Sequence, residues 1–165
     1  MTKSSVANCL LDGLQNLHSK ECWRVFCGPS TGTSLDIHFC PLVARQEPLR
    51  NPKLSELERT HSGAIGLFVH CSWRLQTSER VVAASGVAEA DSELVWAVPQ
   101  ILQGRKVEAI TGPTTPSNDV AIRFSDGIEF LIFCDLVGED AGDNYSLFLE
   151  SGIITVGPGG LLRRS

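Results

Sequence analysis

Hydrophobic positions recur with a helical period near the start of the chain and then change to the period of strands. Steps of three and four residues predict a helix over residues 5–19, whose apolar stripe contains Val6, Leu10, Leu11, Leu14 and Leu17. The run CWRVFC (22–27) and the alternating run SLDIHFC (34–40) are typical of strands, with Leu35, Ile37 and Phe39 on one side. Since GPSTG (28–32) has the composition of a turn, these segments predict an antiparallel hairpin.

The regular pattern is lost between residues 41 and 63. Pro41, Pro48 and Pro52 interrupt any long element, and only residues 54–59 allow one or two helical turns. We therefore predict a long irregular connection at 41–63. Connections without secondary structure that exceed about 12 residues are often lids or binding loops, so this segment is a candidate for function.

Strand character resumes at Ala64. The run IGLFVHCSWRL (65–75) is rich in β-branched and aromatic residues, and VVAA (81–84) is expected to pair back on it as a second hairpin. A helix is predicted next, capped by Asp91 or Ser92 and ending at Gly104. Pro99 is expected to kink this helix or to restart it as a first-turn residue. Its apolar face is predicted to contain Leu94, Val98, Ile101 and Leu102.

The last third of the chain reads as a meander of short strands. Residues 105–111 open it with Val107, Ala109 and Thr111 on one side, and a Pro-rich loop follows at 112–118. Further strands are predicted at 145–150 and 153–156, before a Gly-rich tail. We predict an α+β fold in a single domain over 1–165. Its mainly antiparallel sheet of hairpins and a meander is packed by the N-terminal helix and one further helix.

The stretch IRFSDGIEFLIFCD (122–135) predicts a hairpin with two competing registers. A two-residue turn at Asp126 and Gly127 would place Glu129 opposite an aromatic ring. A three-residue loop with Gly127 in the left-handed position instead pairs apolar residues with each other and Arg123 with Glu129. We favour the second register, because an acid held against aromatic rings costs more than a cross-strand ion pair contributes. Arg123 and Glu129 are then interpreted as a structural pair.

Composition narrows the class of protein. Of the 165 residues, 42% are hydrophobic and 20% are charged, which is typical of a globular chain. The net charge is −5 and no run of basic residues is longer than two, as at Arg163 and Arg164, so we expect no nucleic-acid partner. We expect no membrane association either, since no apolar run approaches the ~20 residues of a spanning helix. Residues 1–19 make a poor signal peptide, so we expect a cytoplasmic protein whose six cysteines are reduced core residues.

Candidate chemistry is weak. His38 and Cys40, with either His70 or Cys71, supply the donor types that zinc prefers, but no second clamp accompanies them. The acidic residues Asp135, Glu139, Asp140 and Asp143 lack the spacing of a calcium loop. Cys71 or Cys134 would be the nucleophile of an enzyme, with a base drawn from His18, His38, His61 and His70, yet no nucleophile elbow is present. We therefore expect no catalytic residues, no metal and no cofactor.

The remaining candidates are residues for binding a partner. Aromatic side chains dominate interface energies, which directs attention to Trp73 with its neighbour Arg74 and to Tyr145. Asp135 is added because it opens the acidic loop.

A resemblance supports a binding function. The runs LQGRKVEAI, DVAIRFSDGIEFLIFCD and YSLFLESGIITVGPGG, between Leu102 and Gly160, resemble a layout found in small bacterial proteins of unassigned function. Some of these are immunity proteins that neutralise a partner toxin. The resemblance implies no catalytic residues. We expect a non-catalytic protein-binding module that acts through a sheet edge or the long loop, on a protein partner or on a second copy in a homodimer. The alternative is a small enzyme or ligand-binding domain with a pocket between the N-terminal helix and the sheet, lined by His38, His70 and a thiol.

Overall fold

Two antiparallel sheets and three helices make up the computed structural model, which describes residues 3–28, 32–86 and 93–165. The helices are α1 (Lys3–Gln15), α2 (Glu56–Thr60) and α3 (Glu93–Leu102). The strands are β1 (Cys22–Gly28), β2 (Gly32–Ala44), β3 (His61–Val69), β4 (Ser72–Gln76), β5 (Val81–Ala84), β6 (Val107–Thr114), β7 (Asp119–Phe124), β8 (Ile128–Phe133), β9 (Tyr145–Leu149), β10 (Gly152–Val156) and β11 (Leu162–Arg164). The predicted α+β class with antiparallel pairing is confirmed.

The strands divide into two sheets rather than one. The first has six strands in the order β1-β2-β3-β9-β10-β11, and the second has five in the order β5-β4-β8-β7-β6. The sheets share one core, because Phe39 of β2 stacks on Phe124 of β7 with ring centroids 6.4 Å apart. Trp73 Nε1 in β4 also donates a hydrogen bond to the carbonyl of Thr33 in β2, at 2.6 Å. Each sheet therefore has an inner face that packs into the shared core and an outer face that points away from it.

The helices close the sides of this core. α1 lies against β6 and against β9, β10 and β11. The helix approaches β9 closely at Gly13, because a Cβ added there would come within 2.7 Å of Leu147 Cδ2. The predicted apolar stripe is confirmed at Val6, Leu10, Leu14 and Leu17, which are all buried. Leu11 is 42% exposed and was wrongly assigned to the stripe. The helix itself ends at Gln15, and turns occupy 16–19.

α3 packs against β1 and β5 and ends where predicted. It runs unbroken through Pro99, whose carbonyl accepts a hydrogen bond from the N–H of Gln103 at 3.0 Å. Gly104 follows with a φ of 81°, the left-handed conformation of a helix C-terminal glycine. The proposed caps Asp91 and Ser92, the side chain of Leu94 and the turn at 29–31 lie outside the described residues.

The predicted irregular connection at 41–63 is too long. β2 continues through Pro41 to Ala44, and its register against β3 shifts between Phe39 and Leu42. A proline is tolerated at such a bulge, because the extra residue leaves the ladder of hydrogen bonds. At the other end α2 is fixed by a capping box, in which Ser55 and Glu58 each bond the other's backbone N–H, and β3 begins at His61. The irregular part is limited to 45–55.

The predicted single run at 65–75 is also wrong in one respect, since it belongs to both sheets. β3 ends at Val69 and β4 begins at Ser72, after a crossing at His70 and Cys71. The backbone N–H groups of both crossing residues donate to the carbonyl of Asn144, at 2.9 and 3.0 Å. The hairpin of β4 with β5 is confirmed.

The register of the β7–β8 hairpin is the one favoured from the sequence. Phe124 pairs with Ile128 around a three-residue loop, and Arg123 lies opposite Glu129. Gly127 has a φ of 69°, as the left-handed position requires. The expected ion pair is not formed, however. Arg123 Nε lies 4.0 Å from Glu108 Oε2, and Glu129 accepts a hydrogen bond from Gln76 Nε2 at 3.0 Å.

The edge strand β6 and the tail also differ from prediction. The register of β6 against β7 shifts between Val107 and Ala109, so Ile110 packs against the core while Thr111 is exposed. β6 extends into the predicted Pro-rich loop and ends at Thr114. The Gly-rich tail leads into β11, which pairs with β10 and completes the six-stranded sheet.

Candidate binding site

Alternation along three neighbouring strands defines the two faces of the six-stranded sheet. Ile37, Leu67 and Leu147 are fully buried and point into the core. Because successive side chains in a strand point to opposite faces, the residues next to them point outward. The strand register places outward-facing His38, Gly66 and Phe148 side by side in one row across β2, β3 and β9.

This outer face carries a cleft of about 760 Å³. Gly66 and Ala64 form its floor, with Asp36 and His38 on one side and Phe148 with Glu150 on the other. Phe148 is 39% exposed, which is high for an aromatic residue in an interior strand of a sheet. Its Cβ and ring carbon Cδ2 lie 3.4 and 3.6 Å from where a Cβ on Gly66 would stand. The Phe148 side chain therefore rests on the glycine backbone and borders the cleft.

His38 is held in place by its neighbours. Its Nε2 lies 3.1 Å from Asp36 Oδ2, and its ring meets those of Phe26 and Trp23 edge-on, at centroid distances of 5.6 and 6.5 Å. The other ring nitrogen, Nδ1, is buried and has no hydrogen-bond partner among the described residues. The imidazole is thus oriented by a carboxylate that also borders the cleft.

The far end of the cleft is built from the end of β2 and the start of the irregular segment at 45–55. Val43, Ala44, Arg45 and Gln46 line it together with Ser62 and Gly63. Arg45 Nε donates to the carbonyl of His61 at 2.9 Å, which ties this segment to β3. The cleft therefore runs along the strands from Asp36 to Arg45.

An ion pair holds α2 near the same face. Arg24 of β1 pairs with Glu58 of α2, and its guanidinium carbon stands 4.1 Å from the centre of the Phe26 ring. Burial lowers the pKa of the Arg24 guanidinium, and the like charge of Arg45 lowers it further. These contacts connect the 45–55 segment and α2 to the sheet.

None of the four residues proposed from the sequence as binding residues lines this cleft. Trp73 is buried beside Phe130, with ring centroids 5.9 Å apart. Tyr145 is fully buried and its hydroxyl donates to the carbonyl of Asn118 at 3.1 Å. Burial raises the pKa of Tyr145, and nearby Cys134 adds to the shift. Neither aromatic side chain is available to a partner in this structure.

Arg74 and Asp135 are more accessible but have local contacts. The Arg74 guanidinium lies 5.5 Å from the centre of the Phe133 ring. Asp135 accepts hydrogen bonds from the backbone N–H and the hydroxyl of Ser72. Partial desolvation acts to raise the pKa of Asp135, but the hydrogen bonds from Ser72 outweigh it and hold the pKa below its usual value.

The candidate ligands and nucleophiles do not assemble into one centre. Within residues 3–28, 32–86 and 93–165, no group of three or more His, Cys, Asp or Glu side chains is placed to hold a metal ion. The described ring contacts of His70 are with Ser34 and Phe68 rather than with a thiol. A smaller cleft of about 320 Å³ near the end of α1 is lined by neither His nor Cys. Of the residues predicted for a His/Cys pocket, only His38 borders the main cleft.

Two buried thiols, Cys22 and Cys134, have raised pKa values. Burial raises the pKa of Cys22 to about 12. A hydrogen bond with Cys71 and then burial raise the pKa of Cys134. Because the thiolate is the reactive form, these environments oppose nucleophilic chemistry at both residues.

Sequence reasoning missed Gly66 and Phe148 as site residues. The available signal was the glycine itself, because a glycine inside a strand often marks close approach of another group. Comparison with protein-family models, curated proteins and solved structures found no match. The resemblance to bacterial immunity proteins therefore stays a prediction. No helix in the described part of the chain combines the length and apolar character needed to span a membrane.

Proposed function

We propose that this chain is a non-catalytic protein-binding module that receives a segment of a partner protein in the cleft on the outer face of the six-stranded sheet. The observation that carries the proposal is the exposed ring of Phe148 on the floor glycine Gly66, inside a cleft of about 760 Å³. Aromatic groups at the centre of a concave surface are the usual anchors of binding energy.

The shape of the cleft favours an extended segment. It follows β2 from Asp36 to Ala44 and continues to Arg45. The β3 partners of Asp36 and Ala44 are Phe68 and His61, seven residues apart, which corresponds to roughly 23 Å at ~3.3 Å per residue. An extended peptide laid along it would meet Phe148 from one side and the start of the 45–55 segment at its end. The net charge of −5 favours a basic partner through long-range attraction.

The raised pKa values of Cys22 and Cys134, and an imidazole already engaged by Asp36, support a binding function over a catalytic one. The alternative of a ligand-binding domain would use the same cleft, with Asp36 and His38 as polar groups at its border. A second copy of the chain is the other occupant that the proposal allows.

Panning a random peptide library against the immobilised protein tests the proposal. Peptides retained by the wild type should bind Phe148→Ser at least tenfold more weakly, since the variant removes the aromatic wall. Val81→Ser is the matched control, because Val81 is 54% exposed on the other sheet. Equal binding of the selected peptides to wild type and Phe148→Ser would refute the proposed site. Sedimentation equilibrium of both proteins distinguishes self-association, which Phe148→Ser should then abolish.

A further inference from the structure

Two carboxylates, one half-buried and one exposed, share the cleft with the Phe148 ring. The side chain of Asp36 is 35% exposed, and among the described residues its one side-chain hydrogen bond joins Oδ2 to His38. Glu150 is exposed and forms no ion pair among the described residues. An aromatic face beside free carboxylate oxygens is an arrangement that attracts cations.

The positive charge of the cleft is separated from this arrangement. Arg45 lies at the opposite end from Asp36, and its Nε is occupied by the carbonyl of His61. Arg24, which lies opposite His38 in the strand register, is paired with Glu58. The region around Asp36, Gly66 and Phe148 is therefore negative, with an aromatic surface.

Resting on the proposed function, we infer that this region binds the side chain of an arginine in the partner segment. The planar guanidinium stacks on the Phe148 ring and donates to the open oxygen of Asp36. An arginine suits the site better than a lysine, because its flat group can stack on a ring while an N–H at its edge donates to a neighbouring carboxylate oxygen. It suits the site better than a phenylalanine, which would leave Asp36 facing an apolar group.

The cleft position above Gly66 explains why a side chain can enter here. Any residue other than glycine in the row between His38 and Phe148 would fill the floor of the cleft. A Cβ added at Gly66 meets the Phe148 side chain at 3.4 to 3.7 Å, which is ordinary contact, so an entering group that reaches this position also touches the ring.

The experiment titrates ¹⁵N-labelled protein with four peptides of the form GSAXASG, in which X is arginine, lysine, citrulline or phenylalanine. Citrulline keeps the planar shape of arginine but has no charge. The arginine peptide should move the amide resonances of Gly66, Phe148 and Asp36, and the citrulline and phenylalanine peptides should bind at least tenfold more weakly. Stronger binding of either neutral peptide would overturn the inference.

Two variants locate the effect. Asp36→Asn should weaken the binding of the arginine peptide about tenfold, because a hydrogen bond between two charged groups is replaced by one from the charged guanidinium to a neutral amide oxygen. Asp140→Asn, in the exposed acidic loop, is the matched control and should leave binding unchanged. Phe148→Leu should weaken binding several-fold without disturbing the fold, as its own spectrum will report.

The outcomes separate the two proposals. Library peptides that need Phe148 but contain no arginine would overturn the arginine inference and leave the protein-binding function standing. Arginine-peptide shifts that spread over the whole acidic surface, and that Asp36→Asn does not reduce, would also overturn it. Loss of all dependence on Phe148 in both experiments would overturn the function itself.

Discussion

Asn144 is the buried residue whose replacement tests the architecture most directly. Its side chain is fully buried and makes three hydrogen bonds. Oδ1 accepts from the N–H of Leu136 at 3.0 Å, and Nδ2 donates to the carbonyls of Leu136 and Gly157, at 3.2 and 2.8 Å. Its backbone carbonyl accepts from His70 and Cys71, where the chain crosses between the sheets. One side chain therefore fixes the acidic segment to the end of β10.

The expected cost of Asn144→Ala follows from these bonds. Each hydrogen bond contributes about 1 kcal/mol, and a buried group left without a partner costs about 1 to 3 kcal/mol. Leu136 is half-buried, so water can replace part of what is lost there. We expect the free energy of unfolding to fall by about 3 kcal/mol.

Urea unfolding followed by tryptophan fluorescence measures this change. Asn51→Ala is the control, because Asn51 is exposed and, among the described residues, its side chain has one hydrogen bond, accepted from the N–H of Lys53. That variant should lose less than about 0.5 kcal/mol. A loss below about 1 kcal/mol for Asn144→Ala would refute the reasoning, since it would mean that solvent already satisfies these backbone groups.

Three further predictions concern local features. Gly127→Val should lower the free energy of unfolding by about 1 to 2 kcal/mol, because a β-branched residue resists a φ of 69°, and an unchanged melting temperature would contradict the assigned turn. Gly63→Ala should lower the free energy of unfolding by about 2 kcal/mol, since the added Cβ would lie 2.5 Å from the Phe39 carbonyl oxygen. Gly66→Ala is the control and should be nearly neutral, because its Cβ would stand at ordinary contact distance from Phe148. Equal melting temperatures of the two variants would show that the bulge at Phe39 adapts to the added group. Burial raises the pKa of Cys22 from 9.0 to about 12, so its contribution to stability is full below pH 9 and is lost as the pH rises towards 12. The stability difference between wild type and Cys22→Ala should therefore shrink by about 1 kcal/mol from pH 9 to 10, and parallel curves would exclude the buried thiol as the cause.

The elements of this protein are largely readable from its sequence. The β7–β8 register could be predicted because Gly127 and the alternation around it are local signals, and the same holds for α1 and the β4–β5 hairpin. The prediction of an ion pair between Arg123 and Glu129 was wrong, although the predicted register was right. Glu108 of β6 lies near Arg123, and Gln76 of β4 donates to Glu129. The sequence around the hairpin does not indicate that these neighbouring strands supply other partners.

The candidate site depended on the tertiary structure. His38 was identified from its side-chain chemistry, but its place beside Gly66 and Phe148 requires β3 to pair with β9, a strand nearly eighty residues later in the chain. The burial of Trp73 and Tyr145 has the same origin, because the division into two sheets turned both side chains into the shared core.

Local sequence thus determined where helices, strands and turns lie, since periodicity and turn residues act over a few neighbouring positions. Only the tertiary structure decided which sheet each strand joins and which face stays uncovered. Those outcomes depend on strand pairing between distant parts of the chain and on burial in a shared core. As a result Phe148 is exposed above a glycine, whereas Trp73 of β4 is buried.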